Sequence, residues 1–334
     1  MTVKFFAILS ASSARRIINA LGCLSIGLLL NHAAHAQRSA SPSATYSEAI
    51  ASSDIEYTVK RTDTLAKIRA RFGIPETTIL RENGLPVSHK IRTGDKLRIV
   101  NPHIVPAQLE EGILINLPQR MLYYFEDGKL ESSFPVSLGK PDWPTPSGSF
   151  YIANRQENKA WVVPKSIQEE MKREGKAVIT EIPPGPKNPL GKHWLGLSLP
   201  GYGIHGTIAP ASIYRFRSHG CIRMHPDDIQ ALFDKAEIGM EGRIIYTPVM
   251  LAHLPDGRIF VEVHTDVYKK AGDPMAAVRR LADSYDLTDR IDWQRVKEIV
   301  RRKEGMAREV TLAPTEEDNE QASIINHTQQ QQRQ

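Results

Sequence analysis

The stretch YRFRSHGCIRMHP, residues 214–226, contains Cys221, one of two cysteines in this 334-residue chain. Gly220 permits a tight turn directly before the cysteine, and backbone N–H groups in such a turn can point at a developing oxyanion. The proline and two aspartates from Pro226 onward predict the start of a helix. Three interpretations of Cys221 remain open at this point: a reactive thiol, a metal ligand, or a buried and inert side chain.

The first 36 residues have the pattern of a secretory leader. Three cationic residues precede an apolar run at residues 17–30, and the segment ends in Ala34-His35-Ala36. The run is shorter than the roughly 20 residues that span a membrane. We expect cleavage after Ala36 and an exported, periplasmic protein. A lipid on Cys23 is the weaker alternative, because Cys23 lies inside the apolar run.

Cleavage changes both the charge and the sulfur content of the chain. It removes three of the 43 Lys and Arg residues and none of the 38 Asp and Glu residues, so the formal charge falls from +5 to 40 − 38 = +2. A near-neutral chain without clusters of Lys and Arg lacks the basic patch that is typical of nucleic-acid-binding proteins. Cys221 becomes the only thiol, which excludes an intramolecular disulfide. A lone cysteine in an oxidising compartment indicates a specific use.

A small folded unit is predicted near the N-terminus. Residues 37–55 are small and polar, and we expect a flexible spacer there. Residues 56–101 predict a compact βααβ unit, with a short alternating strand, two short helical patterns and a final strand. Leu65, Ile68 and Phe72 share one face of the first helix, which Gly73 can end.

The βααβ unit resembles a LysM domain. The resemblance implies binding to glycans that contain N-acetylglucosamine, and a spacer of the same fold without a ligand is the alternative. The residues that carry it cover nearly the whole module: Tyr57-Thr58-Val59, Asp63-Thr64-Leu65, Ile68, Phe72-Gly73, Asn83, Gly94-Asp95 and Leu97-Arg98-Ile99.

Residues 107–248 are predicted to be mainly β. Asp127-Gly128 between two apolar runs is a strong hairpin signal, and a helix is expected from Ser166 to Glu174. The segment 182–192 is dense in Pro and Gly, so we expect an ordered surface loop that either covers a substrate or only connects two elements.

The rest of the chain is predicted to be helical and then disordered. In residues 249–312 we expect a hairpin turning at Asp256-Gly257, followed by amphipathic helices at Pro274–Tyr285 and Ile291–Arg302 that pack on the β domain of residues 107–248. Residues 313–334 are polar, and we expect a disordered tail.

Cys221 needs a nearby base to act as a nucleophile. A free cysteine with a pKa of about 8.5 is only a few per cent ionised at neutral pH. Three histidines lie close in sequence, and His205 sits in GYGIHGT, where glycines on both sides allow close approach of another chain segment. A neutral imidazole can take the thiol proton, and the imidazolium then holds the thiolate. The other two histidines are His219 and His225, and a structural role is the favoured interpretation of His225.

The segments IHGT (204–207) and SHGCIRM (218–224) resemble the L,D-transpeptidase catalytic domain of the YkuD type, as do TPSGSFYI (145–152) and PPGPKNPLGKHWLGL (183–197). The resemblance covers roughly residues 113–246. It implies a mainly β fold, a YkuD-type β-sandwich with short helices, beside the LysM unit and the helical C-terminal segment. The chain is especially similar to the periplasmic branch that acts on peptidoglycan and can attach an outer-membrane lipoprotein to it.

By this resemblance Cys221 is the nucleophile, His205 accepts and donates the proton, and the carbonyl of Gly206 orients the imidazole. The remaining motif residues are placed around the oxyanion (His219, Gly220) and on the substrate side (Ser218, Arg223), where a purely structural role is the alternative. No metal and no cofactor is expected.

The implied reaction is acyl transfer from a peptidoglycan stem peptide through a thioester on Cys221. The acceptor is left open: another stem peptide, a lysine of a lipoprotein, or water, which would make the protein an L,D-carboxypeptidase. Two rival interpretations are a catalytically inactive wall-binding protein and a zinc hydrolase. The zinc interpretation would use His205, His219, Cys221 and His225, but these residues lack the usual spacing of zinc ligands.

Overall fold

The computed structural model describes residues 44–313; the expected leader, the first part of the expected spacer and residues 314–334 of the expected tail lie outside the described residues. The N-terminal part contains five short strands and two helices. In chain order these are β1 (Ala44–Ser47), β2 (Ile50–Ala51), β3 (Asp54–Thr58), α1 (Leu65–Phe72), α2 (Glu76–Glu82), β4 (Lys96–Val100) and β5 (His103–Ile104).

The predicted βααβ unit is confirmed. β3 and β4 pair antiparallel from Asp54↔Val100 to Thr58↔Lys96, and both helices lie between them in sequence. The Thr64 side chain accepts a hydrogen bond from the Lys67 N–H and so caps α1. Gly73 ends this helix in the left-handed conformation, with φ of 65°, which glycine adopts without strain.

The central region is mainly β, as predicted. Its elements are β6 (Gly112–Asn116), β7 (Met121–Glu126), β8 (Lys129–Gly139), β9 (Gly148–Glu157), β10 (Trp161–Val162), α3 (Lys165–Arg173), β11 (Glu181–Ile182), β12 (His193–Leu197), β13 (Gly203–His205), a 3₁₀ turn (Pro210–Ser212), β14 (Phe216–Ser218), β15 (Ile222–Met224), α4 (Pro226–Lys235) and β16 (Glu241–Ile245).

Nine of these strands form one sheet in the order β14-β8-β15-β13-β12-β9-β16-β6-β7. The sheet closes on itself because β8 is long. Its first part pairs with β7, and its last residues pair with β15 and β14. The core lies inside this closed sheet and is completed by apolar side chains of α4, namely Ile229, Leu232 and Phe233.

The C-terminal part contains the predicted hairpin and two helices. Its elements are β17 (Val249–His253), β18 (Ile259–Val263), α5 (Pro274–Ser284), a 3₁₀ turn (Thr288–Arg290), α6 (Trp293–Arg302) and β19 (Arg308–Glu309). The expectation that the helices pack on the catalytic domain needs correction. They cover a separate four-stranded sheet, β1-β17-β18-β19, with a core of its own.

The expected flexible spacer is wrong for residues 44–55. β1 joins β17 in parallel pairing from Ala44↔Val249 to Ser47↔Ala252, and β2 pairs with β5. The Tyr46 ring also stacks on the Tyr285 ring at 3.6 Å between centroids. A polar segment can form such strands because the ladder hydrogen bonds at a sheet edge use only the backbone.

The βααβ unit shares buried apolar side chains with the rest of the molecule. Met306, which follows α6, is fully buried in the core of this unit together with Ile68, Ile79 and Leu97. Conversely, Ala70 of α1, a residue of the βααβ unit, is buried in an apolar cluster of the central region. The unit therefore takes part of its core from the far end of the chain.

A buried polar cluster lies where the N-terminal, central and C-terminal parts meet. Glu262 is fully buried, and its carboxylate oxygens accept hydrogen bonds from His103, His264, Gln119 and the Ile104 N–H. Within the described range, no helix is both long and apolar enough to cross a bilayer.

Candidate active site

The central sheet places Cys221 and His205 on neighbouring strands. β13 and β15 are parallel, with Ile204 opposite Ile222 and His205 opposite Arg223. His205 is the last residue of β13, and Cys221 directly precedes β15. The fifteen residues between them, 206–220, form the connection that returns the chain to the neighbouring strand, so the two sequence motifs meet in space.

His205 is held by its own backbone and by an aromatic ring. Its Nδ1 lies 2.7 Å from the carbonyl oxygen of Gly206, to which it donates a hydrogen bond. The Trp194 ring stacks on the imidazole at 5.7 Å between centroids. Gly203 makes this possible, because a Cβ there would lie 2.4 Å from the Trp194 ring. The Nδ1–H donation leaves Nε2 as the basic nitrogen.

Burial keeps His205 neutral. The side chain is 3% exposed, and burial, with the positive charge of Arg223 as the second cause, lowers the pKa of His205 to about 4. Hydrogen bonds to the carbonyls of Gly206 and Leu190 oppose this shift. A neutral imidazole at neutral pH can accept a proton.

The thiol of Cys221 is also in its neutral form. The residue is partly exposed, but protein atoms crowd the sulfur, and this burial raises the pKa of Cys221. The backbone N–H of Gly203 and the charge of Arg223 act in the opposite direction. The sulfur lies 3.7 Å from the carbonyl oxygen of Gly201, its hydrogen-bond acceptor in this structure. The pair is therefore a thiol and an imidazole, not a preformed ion pair.

The turn that precedes Cys221 is fixed by Ser218 and Gly220. The Ser218 hydroxyl donates to the carbonyl of Cys221 at 2.5 Å and accepts from the N–H of Gly220 at 3.1 Å. Ser218 is 1% exposed and both of its hydrogen bonds serve the backbone, which favours the structural alternative over a place on the substrate side. Gly220 has φ of 106°, and a Cβ there would meet the Tyr202 ring at 2.5 Å.

His219 is held in place by residues that the sequence motifs do not include. Its Nε2 lies 2.7 Å from Oε2 of Glu170 in α3, and its ring stacks on Trp143. Burial lowers the pKa of His219, while the Glu170 carboxylate opposes that shift. Among the described residues its Nδ1 has no hydrogen-bond partner.

Arg223 places a positive charge close to both His205 and Cys221. Its charge lowers the pKa of both His205 and Cys221, and burial lowers the pKa of its own guanidinium. No carboxylate of residues 44–313 pairs with it, and its buried Nε lacks a hydrogen-bond partner. A half-buried guanidinium of this kind can receive a carboxylate of a ligand.

The ligand set of the rival zinc interpretation does not come together. His225 caps α4, its Nδ1 accepting from the Asp227 N–H at 3.3 Å, while His205 and His219 bond to Gly206 and Glu170. Residues 44–313 do hold one cluster with ligand-type side chains, His103, Glu262 and His264, which is the buried junction described above. Its carboxylate-to-nitrogen distances of 2.7 and 2.8 Å are those of hydrogen bonds.

Two further residues, far from Cys221 in sequence, support the turn that precedes it. Thr145 is buried; its hydroxyl donates to the Gly220 carbonyl at 2.8 Å and accepts from the Gly139 N–H at 3.0 Å. Tyr268, from the C-terminal part, donates to the Gly139 carbonyl at 2.6 Å. The TPSG segment signalled Thr145 in the sequence, whereas nothing near Tyr268 did.

The Pro- and Gly-rich loop is ordered by one buried side chain. Asn188 donates through Nδ2 to the carbonyls of Lys159, Ile182 and Pro183, and its Oδ1 accepts from the Leu190 N–H. Leu190 lies in this loop, and its backbone carbonyl accepts a hydrogen bond from His205. This contact links the loop to the candidate base.

Comparison with known proteins agrees with this geometry. Residues 110–250 match the L,D-transpeptidase catalytic domain (YkuD), and residues 57–100 match the LysM domain. A probable L,D-transpeptidase ErfK/SrfK of Salmonella typhimurium is 31% identical over 256 residues, which cover 73% of this chain and 82% of that protein. The probable L,D-transpeptidase YcfS of Escherichia coli is 31% identical, over 63% of this chain and 67% of its own.

Solved structures of similar proteins include the ertapenem-acylated catalytic domain of an Enterococcus faecium L,D-transpeptidase. That domain is 25% identical, with a TM-score of 0.32, and the match covers 40% of this chain and 98% of that one. An L,D-transpeptidase from Mycobacterium smegmatis is 14% identical, with a TM-score of 0.34, over 62% of this chain and 95% of that chain.

The chain belongs to the L,D-transpeptidase family, with a YkuD catalytic domain preceded by a LysM domain.

Proposed function

We propose that this chain is an exported peptidoglycan L,D-transpeptidase in which Cys221 is the nucleophile and His205 the general base and acid. The observation that carries the proposal is the position of these residues at adjacent strands: His205 ends β13, Cys221 directly precedes β15, and Nδ1 of His205 is bonded to the Gly206 carbonyl. This bond directs the basic nitrogen of the ring outward to a reacting group.

In the first step the Cys221 sulfur attacks the carbonyl carbon of the third residue of a stem tetrapeptide. A C–S bond forms, the C–N bond to the terminal D-alanine breaks, and the thiol proton passes through His205 to the departing amine. The product is a thioester and free D-alanine. Because both groups start neutral, proton transfer accompanies the attack and no stored thiolate is required.

The oxyanion of this step needs donors beside Cys221. We propose two kinds of donor: a backbone N–H of the turn held by Ser218 and Thr145, and Nδ1 of His219, which has no hydrogen-bond partner among the described residues. The Gly220 N–H is not one of them, because it donates to the Ser218 hydroxyl. The charge of Arg223 is available for a substrate carboxylate.

In the second step an acceptor amine attacks the thioester. A C–N bond forms, the C–S bond breaks, and the amine proton returns to the sulfur through His205. A stem-peptide amine gives a cross-link between third residues, a lysine of a lipoprotein gives a tethered protein, and water gives a carboxypeptidase. We propose peptidoglycan as the acyl donor and an amine as the acceptor.

The LysM domain is proposed to bind the N-acetylglucosamine-containing glycan of the same substrate. Export to the periplasm would bring the chain to that substrate, and the sequence pattern of a secretory leader in residues 1–36 supports export. Because Met306 and Ala70 join the LysM domain to the rest of the molecule, it holds the glycan in a fixed position and does not act as a loose tether.

The test is mass spectrometry of purified protein with tetrapeptide muropeptides. We expect D-alanine release, a tripeptide adduct on Cys221, and a new product when a lysine-bearing peptide or a second muropeptide is added. Cys221→Ala should abolish all three. We also expect product formation to continue in the presence of a chelator and to stop after treatment with a thiol alkylating agent.

Absence of D-alanine release by the wild-type protein, with binding to sacculi intact in Cys221→Ala, would support the inactive wall-binding interpretation instead. Release of D-alanine with free tripeptide as the sole second product would identify a carboxypeptidase.

A further inference from the structure

A second candidate binding site lies away from Cys221, where the LysM domain, the catalytic domain and the C-terminal part meet. This basic cavity has a volume of about 580 Å³, within the usual range for ligand sites and far larger than a single ion requires. Six cationic side chains line it, from all three parts of the chain: Arg69, Arg81, Arg120, Arg215, Arg302 and Lys303.

Two carboxylates line the same cavity and leave the positive charge in excess. Glu76 pairs with Arg69 and Arg215, and Glu304 pairs with Arg81. Each glutamate is thus already engaged. Among the described residues, Arg120 and Lys303 have no carboxylate within salt-bridge distance.

Buried donor atoms of the cavity wall lack partners. The Tyr214 side chain is 3% exposed, and no group meets its hydroxyl with full hydrogen-bond geometry. Burial raises the pKa of this hydroxyl, and the nearby Arg120 guanidinium opposes that shift. Nε of Arg120 and Nε of Arg69, which is 5% exposed, are also unpartnered. Buried polar groups in folded proteins are normally bonded, so unpartnered donors at one cavity indicate an absent acceptor.

Arg120 is held in place rigidly. Its guanidinium lies over the Tyr214 ring at 4.2 Å from the centroid and near the Phe216 ring at 5.4 Å. Three of the seven non-glycine residues with positive φ in the described chain line this cavity: Arg120, Tyr214 and Lys303. Such conformations cost free energy and persist where the surroundings enforce them, often at binding sites.

We propose that the basic cavity binds the carboxylates of a peptidoglycan stem peptide at a site separate from the one at Cys221. Guanidinium groups pair with carboxylates through two parallel hydrogen bonds, and the Tyr214 hydroxyl adds a further donor. A peptide bound here contacts all three parts of the chain. The ligand assignment rests on the proposed function, because that function supplies the carboxylate-bearing peptide.

The test is calorimetric titration of the full mature chain, carrying Cys221→Ala to prevent turnover, with the tripeptide of the stem. We expect two classes of site, one of which weakens as salt is raised. Adding Arg120→Gln should weaken that class about tenfold or more. Arg302→Gln with Lys303→Gln, which changes only the exposed rim, should weaken it about threefold to tenfold.

The matched control is Arg280→Gln, which removes one exposed cation on α5 outside the cavity and should leave both classes unchanged. Since Arg120→Gln can also disturb folding, the rim variant decides the result if the thermal midpoint of Arg120→Gln falls. Equal binding by the rim variant and the wild-type background overturns the proposal. Inorganic phosphate that binds the cavity while the tripeptide does not would overturn the peptide assignment.

Failure of this proposal and failure of the proposed function are separable. D-alanine release without a salt-sensitive, cation-dependent tripeptide site rejects the second site alone. A cation-dependent tripeptide site in a protein that releases no D-alanine rejects the catalytic proposal alone.

Discussion

The Nδ1 atom of His205 donates to the carbonyl of the very next residue, Gly206, at 2.7 Å. This short local contact fixes the tautomer and the orientation of the ring without any carboxylate. A histidine that lacks a carboxylate partner gains no charge that would raise its pKa. Burial and Arg223 therefore dominate, and the ring stays neutral.

The pH dependence of turnover follows from this arrangement. The pKa of His205 is about 4, so we expect the acid limb of kcat/KM near pH 4, well below the 6.5 of an ordinary histidine. Arg223→Gln should move this limb to higher pH, because a positive charge beside the ring is lost. Initial rates of D-alanine release across the pH range measure both limbs. A wild-type limb near pH 6.5 would contradict the prediction.

Stability should also depend on His205. Its folded-state pKa is below that of the unfolded chain, so the unfolded chain binds a proton first as the pH falls. The stabilisation is complete above pH 6.5 and is lost between about pH 6.5 and pH 4, by about 3 kcal/mol. Urea unfolding at several pH values measures this loss. His205→Gln should flatten the curve in that window, and an unchanged slope would refute the assignment.

Glu262 should be essential for the junction of the three parts. Removal of its charge leaves His103 and His264 buried without their carboxylate, and we expect Glu262→Gln to lower the free energy of unfolding by about 3–5 kcal/mol. Because the folded-state pKa of Glu262 is about 2, this stabilisation is present above pH 4.5 and is lost as the pH falls toward 2. Glu309→Gln, on the exposed side of β19, is the control.

Helix α3 should depend on Glu170 for its position. It has no buried residue, and Glu170 bonds it to Lys140 and His219. We expect Glu170→Gln to increase hydrogen exchange in residues 165–173 and to lower kcat, since one neutral oxygen replaces the two charged oxygens that accept from Lys140 and His219. Glu169→Gln, the exposed neighbour, should change neither quantity. Equal exchange in both variants would show that other contacts hold the helix.

Met306→Ala should destabilise the LysM domain although residue 306 lies far from it in sequence. Truncation of a fully buried methionine costs about 2–5 kcal/mol, while Leu312→Ala, at a side chain 48% exposed, should cost less than about 0.5 kcal/mol. Unfolding monitored by exchange of β3 and β4 amides measures the local effect. Similar losses in both variants would contradict the role given to Met306.

Much of this architecture was predictable because local patterns carry it. The alternation of apolar residues, the Asp127-Gly128 turn and the Pro226 helix start predicted the hairpins and helices correctly. The SHGC and IHGT motifs identified Cys221 and His205 as the candidate nucleophile and base. The function class then followed from residues that lie close together in the chain.

The residues that were missed act over long separations. Glu170, Tyr268 and Met306 reach their partners across 49, 129 and more than 200 positions, and no local pattern indicates such contacts. The spacer prediction failed for a related reason. Residues 44–51 gain their structure only from β17 and β5, so their polar composition gave no signal.

The burial of Met306 inside the LysM core bears on the order in which this protein can fold. A chain is synthesised N-terminus first, and domains commonly fold in that order. Here the domain that emerges first lacks one of its core side chains until nearly the whole chain has followed. Its final packing must therefore wait for the end of synthesis, and a chain that stalls midway leaves an apolar gap exposed.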